Sequence, residues 1–196
     1  MNTLKNNTVG TGNCAFGLST LDTNNDGSFN NAFGFYTLYS NTYGRFNNAF
    51  GAGALYNNKI GSNNIAIGTH AGYKNESMDS NISIGYKSLY ENISGSNTVA
   101  IGEYALSENT SGYSNTALGY YAFSNNTIAN NGVAIGSYAL KNNTTGDSNV
   151  AIGYKSSYKN ESMDSNISIG YKSLYENISG GNTVAIGKSA LKENIS

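Results

Sequence analysis

The chain has 196 residues, of which 11 are basic and 12 acidic, for a net charge of -1 at pH 7. That balance leaves no electrostatic footprint for nucleic acid. Asn supplies 33 residues and Gly 24, Pro and Trp are absent, and Leu, Ile, Val and Phe together number 38. Chains this poor in large apolar side chains border on disorder, but disorder of that kind usually comes with high net charge. No apolar run approaches the length of a membrane helix or a signal-peptide core, so no membrane insertion is expected. A surface protein without an export signal would be part of a longer chain or reach its place by another route. The lone Cys14 cannot form an intramolecular disulfide.

One tripeptide organises the rest. Ala or Ser, then an apolar residue, then Gly recurs, with the glycines at Gly17, Gly34, Gly51, Gly68, Gly85, Gly102, Gly119, Gly136, Gly153, Gly170 and Gly187, always 17 residues apart. Residues 1–196 therefore read as a single domain of eleven and a half copies of one unit.

With that Gly counted as position 0, the elements of a unit follow in order. Positions 12 to 16, as in Asn97-Thr98-Val99-Ala100-Ile101, alternate apolar and small residues at the period of a strand. Gly at position 0 turns the chain. Positions 2 to 6, as in Tyr104-Ala105-Leu106-Ser107, read as a second short strand. The Asn-x-Ser/Thr-Gly stretch, as in Asn143-Thr144-Thr145-Gly146, turns the chain back. Position 7 is Asn in all twelve copies, and 19 of the 24 glycines stand at positions 0 and 10, so they are turn residues rather than linkers. Stacked units predict an all-β fold, a parallel β-solenoid with rungs about 4.8 Å apart and a rod roughly 50–55 Å long. Val or Ile at position 14, Ile or Phe at 16 and Leu at 4 are expected to point inward. Asn at positions 7 and 13 is expected to form amide ladders at the corners.

Alternation then places position 15 toward solvent, and position 3 likewise, opposite Leu at position 4. Solvent-facing positions ordinarily drift through polar residues, yet Ala66, Ser83, Ala100, Ala117, Ala134, Ala151, Ser168 and Ala185 admit only Ala or Ser. A face restricted to tiny side chains usually lies against another surface. Three apolar side chains per rung are also few to order 17 residues. A homo-oligomer packed through this column is expected, its number of chains unspecified by the pattern.

The segments Ser62-Asn63-Asn64-Ile65-Ala66-Ile67-Gly68, Asn97-Thr98-Val99-Ala100-Ile101-Gly102 and Asp147-Ser148-Asn149-Val150-Ala151-Ile152-Gly153 carry a family resemblance. They resemble the Asn-Ser-Val-Ala-Ile-Gly repeat of YadA-like heads, the head domains of trimeric autotransporter adhesins, with related repeats in phage and virus fibre proteins. The resemblance covers essentially the whole chain, specific in the strand and looser in the turn, where the family's unit is commonly shorter. It implies a left-handed β-roll with three chains around one axis and the small columns near that axis. It further implies attachment to a host-surface protein or glycan, or to matrix, from an extracellular, cell-surface or virion-surface location.

Several motifs tempt. Asp22-Thr23-Asn24-Asn25-Asp26-Gly27 copies the front half of a calcium loop, but Phe33 stands where the bidentate Glu belongs. Gly181 to Ser189 looks like a phosphate loop with one residue too many between its glycines. His70 and Cys14 stand alone, without a nucleophile–base pair or a metal cluster. No catalytic residue, metal or cofactor is expected. Sequons such as Asn75-Glu76-Ser77 and Asn92-Ile93-Ser94 recur because Asn is the turn residue. No column supplies the regular Thr row of an ice-binding face.

Position 5 carries Tyr39, Tyr56, Tyr73 and Tyr90 on four successive rungs, then Tyr158 and Tyr175. Such a stripe could bind a glycan or protein partner, or simply stack along the rod. Residues 73–102 and 158–187 agree at 29 of 30 positions, differing only at Ser96 and Gly181, an offset of five whole rungs. Copying whole rungs lengthens a rod in register, which suits reach or multivalency better than a unique active site. The expected function is a non-catalytic fibre or adhesin head segment. The alternative is a self-assembling structural filament, stacked end to end through β edges that no polar capping unit closes.

Overall fold

The computed structural model describes residues 3–194. Eleven three-residue strands form one sheet: β1 (Cys14–Phe16), β2 (Asn31–Phe33), β3 (Asn48–Phe50), β4 (Ile65–Ile67), β5 (Ile82–Ile84), β6 (Val99–Ile101), β7 (Thr116–Leu118), β8 (Val133–Ile135), β9 (Val150–Ile152), β10 (Ile167–Ile169) and β12 (Val184–Ile186). Two short strands, β11 (Glu176–Asn177) and β13 (Glu193–Asn194), pair with each other. Every pairing is parallel, and each residue faces its equivalent one unit away, as Val99 faces Ile82 below and Thr116 above. This is the expected all-β parallel β-solenoid of about eleven turns, and no helix occurs among the described residues.

Inside and outside are reversed from the sequence expectation. Position 15 faces the interior: Ala66, Ala100, Ala117, Ala134 and Ala151 are fully buried, and Ser83, Ser168 and Ala185 nearly so. These eight residues are packed within their own chain and are unavailable to a second one. Positions 14 and 16, expected inside, face outward: Ile67 and Leu118 are 41% and 44% exposed, and Val99 and Ile101 are half-buried.

The cause is the width of the roll. Position 3 also points inward, contrary to expectation, so the wall opposite the strand presents two consecutive residues, small at position 3 and mostly Leu at position 4. Ser156 and Ser157, at those positions, place their hydroxyls 2.6 and 2.8 Å from that of Ser168 at position 15. Across so narrow a gap only Ala or Ser fits the strand side.

The expected second strand at positions 2 to 6 is mostly a run of turns. Among the described residues, the 31 non-glycine residues with left-handed backbone all fall at positions 2, 4 and 12, with φ between 44° and 60°. Two such residues flanking position 3 break strand alternation and bring positions 3 and 4 to the same side. Each costs about 1–2 kcal/mol for an L-residue, and the stacking offsets it. The turns still bond rung to rung: Leu106 N–H donates to Ala122 O at 3.1 Å and Glu108 N–H to Ser124 O at 3.0 Å. At position 0, Gly102 has φ +132°, and a Cβ there would lie 2.4 Å from Gly119 O.

The amide ladders form as expected. Along position 7 the Asn side chains donate from Nδ2 to Oδ1 of the Asn one rung below, as Asn109 does to Asn92 at 2.9 Å and Asn58 to Asn41 at 2.8 Å, with a break at Asn143, whose Nδ2 bonds the Gly146 carbonyl instead. The same Nδ2 caps the turn carbonyl three residues on, as Asn109 does at Gly112 O. At position 13, Asn64 and Asn81 accept the next rung's backbone N–H at 3.0 Å. The interior is thus a Leu ladder flanked by amide ladders, in which the buried amides bond one another and the turn carbonyls, apart from Asn166 Nδ2.

Candidate ligand-binding face

The expected Tyr stripe is a stack of rings. Tyr39, Tyr56, Tyr73 and Tyr90 lie 5.1, 5.0 and 5.1 Å apart between centroids, within 16° of parallel. Tyr158 and Tyr175 stack at 5.3 Å. Ring spacing follows rung spacing, because identical side chains on parallel rungs must lie one strand separation apart. Burial by neighbouring rings pushes the Tyr56 hydroxyl above its ordinary pKa, and the nearby Tyr73, Tyr39 and Tyr36 add to the effect.

Sequence reasoning missed how the stripe continues. Between Tyr90 and Tyr158 the aromatic column shifts to position 2, where Tyr104 and Tyr121 stack at 4.7 Å and Tyr138 follows at 5.9 Å. Tyr138 then meets Tyr158 edge-on at 6.4 Å, returning the band to position 5. Lysines mark the crossings. Lys87 Nζ lies 5.3 Å from the Tyr90 centroid and 5.9 Å from Tyr104, and Lys141 Nζ lies 5.7 to 5.8 Å from Tyr121, Tyr138 and Tyr158. These are cation–π distances.

Where the band changes column it leaves an open cleft of about 340 Å³, within the range of small-molecule sites. Position 5 falls to Ser107 and Ser124 on two successive rungs, giving a low floor. Tyr104 and Tyr121 form one wall, with Glu91, Glu108 and Asn125 at position 6 opposite. Glu91 is held by Lys74 at 2.6 Å, and this hydrogen bond is the main cause raising the Lys74 pKa. Glu108 enters no ion pair among the described residues. The signal lay in reading positions 2, 5 and 6 together, since the position-2 Tyr run begins on the rung where the position-5 run stops.

The other motifs resolve into repeat architecture. Asn24 of the calcium-like stretch belongs to the amide ladder, Thr23 Oγ1 donates to Tyr39 O at 2.7 Å, and Asp26 lies 3.6 Å from Arg45. No group of three His, Cys, Asp or Glu side chains gathers among the described residues. The phosphate-loop look-alike contains β12, a strand like the other ten of its sheet. Asn75 and Asn92 of the sequons are buried with Nδ2 committed to the ladder, which closes both to glycosylation in the folded chain. His70 packs against Tyr73 at 5.0 Å, and burial, then Lys87, pulls its pKa below the ordinary value.

Comparison with protein-family models, curated proteins and solved structures returned no match to this chain.

Proposed function

We propose that this protein is a non-catalytic fibre segment of the adhesin-head type, in which three copies pack through their sheet faces and leave the Tyr bands accessible. The observation that carries the reading is the outward sheet face. Position 16 is Phe, Ile or Leu on all eleven rungs, and position 14 is Val or Ile on seven. An exposed column in water ordinarily becomes polar, yet this one stays apolar along the whole sheet. Eleven strands about 4.8 Å apart make a stripe roughly 50 Å long and, with side chains, about 10 Å wide. A continuous stripe of that size is at the upper end of what monomers expose and suits a covered interface. Flat, identical rungs favour a second copy in register as its cover, since the same ladder then repeats on both sides.

The resemblance of the strand segments to YadA-like heads supports three as the number of chains and a cell-surface or virion-surface location, with a host-surface or matrix partner. The rung-by-rung repetition supports a role in reach rather than in turnover.

Light scattering across a concentration series tests the assembly. A fixed mass three times the 20.7 kDa of one chain is expected. A constant single-chain mass overturns it, and a mass climbing with concentration replaces the closed trimer with an end-to-end filament.

A further inference from the structure

We propose that the cleft between Tyr90 and Tyr121 is a saccharide site that stacks a neutral hexopyranose on Tyr90, in the space where the position-5 ladder omits its next ring. The inference names a ligand class for the fibre reading given above and rests on it only for biological purpose.

The geometry of the ladder carries the inference. Tyr90 has Tyr73 stacked 5.1 Å below, but on the next rung Ser107 replaces the ring that would continue the column. A ring-sized slot one rung high therefore opens above the Tyr90 ring, and Ser124 extends it by another rung. A pyranose is a flat ring with an apolar C–H face and hydroxyls around its edge. It can take the stacking place of an absent Tyr while its hydroxyls reach sideways.

Acceptors and donors stand where those hydroxyls would lie. Glu108 contributes a carboxylate with no hydrogen-bond partner for its oxygens among the described residues, while Glu91 is oriented by Lys74. Among the described residues, Ser107 Oγ makes only a long 3.4 Å contact to Ser124 O and retains capacity. Asn125 closes the far end, its amide already fixed to Asn142 Oδ1 at 3.2 Å.

Charge narrows the ligand class. Lys74 and Lys87 balance Glu91 and Glu108 around the cleft, so no net charge draws an ion. A cationic ligand would meet the like charge of the Lys87 ammonium, which stands 5.3 Å from the Tyr90 centroid and 5.5 Å from that of Tyr86. An anion would meet two carboxylates on one wall. A neutral polyol avoids both conflicts. None of the cleft's residues belongs to strand positions 14 to 16, so binding here and packing through the sheet use different side chains.

The test is saturation-transfer NMR on the whole chain with millimolar methyl β-glucoside, methyl β-galactoside, methyl α-mannoside and N-acetylglucosamine, beside tetramethylammonium and arginine. Transfer to at least one pyranoside, strongest at its ring C–H protons, is expected. Ser107→Tyr refills the column as Tyr39 does beside Tyr36, so the fold tolerates it; it should abolish transfer while the melting temperature stays level or rises. Glu108→Gln should weaken binding by about tenfold, the loss of one charge-assisted hydrogen bond. Transfer to none of the sugars, transfer only to the cations, or undiminished transfer with Ser107→Tyr each overturns the proposal. Failure here with a three-chain mass removes the site and leaves the fibre reading, whereas sugar binding by a single-chain species does the reverse.

Discussion

Residues 73–102 and 158–187 are the same sequence at 29 of 30 positions, yet they do different things. Both stack their tyrosines, Tyr73 on Tyr90 at 5.1 Å and Tyr158 on Tyr175 at 5.3 Å, and both bridge rungs with an ion pair, Lys74–Glu91 and Lys159–Glu176. Only the first borders the cleft, because the rung above it brings Tyr104, Ser107 and Glu108, whereas the rung above the second brings Ser189, Lys192 and Glu193. Interior bonding differs too. Asn81 Nδ2 reaches Gly95 O at 3.0 Å, while its counterpart Asn166 leaves Nδ2 buried without a partner among the described residues, beside a Gly180 whose φ is +102°. A rung's own sequence fixes its shape, and its neighbour decides what surface it helps to make.

The amide ladder should show the largest difference between the copies. Asn92 takes Asn109 and Gly95 N–H as donors and gives its own Nδ2 to Asn75 and Gly95 O. Asn177 has the side-chain and carbonyl partners but no bond from Gly180 N–H. Asn92→Ala should therefore cost about 3 kcal/mol and Asn177→Ala about 2 kcal/mol, from buried groups left unpaired. Chemical denaturation of the two variants checks the order, and equal losses would mean that the ladder is insensitive to its turn.

A smaller effect comes from the residues just before each copy begins, where position 2 of its first rung is His70 in one case and Lys155 in the other. The folded chain holds His70 below its ordinary 6.5, chiefly by burial. The unfolded chain therefore binds the proton more readily, and stability is lost as pH falls below 6.5 until the folded group also titrates. The melting temperature should drop across that window in wild type and stay flatter in His70→Gln. Parallel curves for the two proteins would assign the pH dependence elsewhere.

The smallest effect concerns strain at position 12. Ser148 and its equivalent five rungs earlier, Asn63, have φ of 57° and 60°. Ser148→Gly should gain about 0.5 kcal/mol by relieving left-handed backbone, while Asn63→Gly should change little because Asn tolerates that region. Equal gains at both sites would contradict the difference.

Much of this fold is written in columns and was legible there. The 17-residue period, a strand within positions 12 to 16 and the Asn ladders all follow from residue type at one position repeated down the chain, although only positions 14 to 16 form the strand. The orientation of the sheet was not legible. Alternation defines two faces without saying which is inside, and hydrophobicity pointed the wrong way because the large apolar residues of positions 14 and 16 face outward. The interior's width is set by left-handed residues at positions 2 and 4, such as Lys87 and Leu89, whose identities carry no such signal. The Tyr stripe was visible within one column. The cleft depends on a break in position 5 coinciding with a start in position 2, which no single column records.

Position 15 belongs to the chain's own core, and the proposed contact with other copies uses positions 14 and 16. Measuring mass and melting for Val99→Lys and Ala100→Lys side by side tests this division most directly. Val99→Lys should leave a folded single chain of 20.7 kDa, its lysine in water on the exposed face. Ala100→Lys, at a fully buried site, should unfold the central rungs. The opposite outcome, with Ala100→Lys folded but dissociated and Val99→Lys unfolded, would return the small column to the interface and contradict the account.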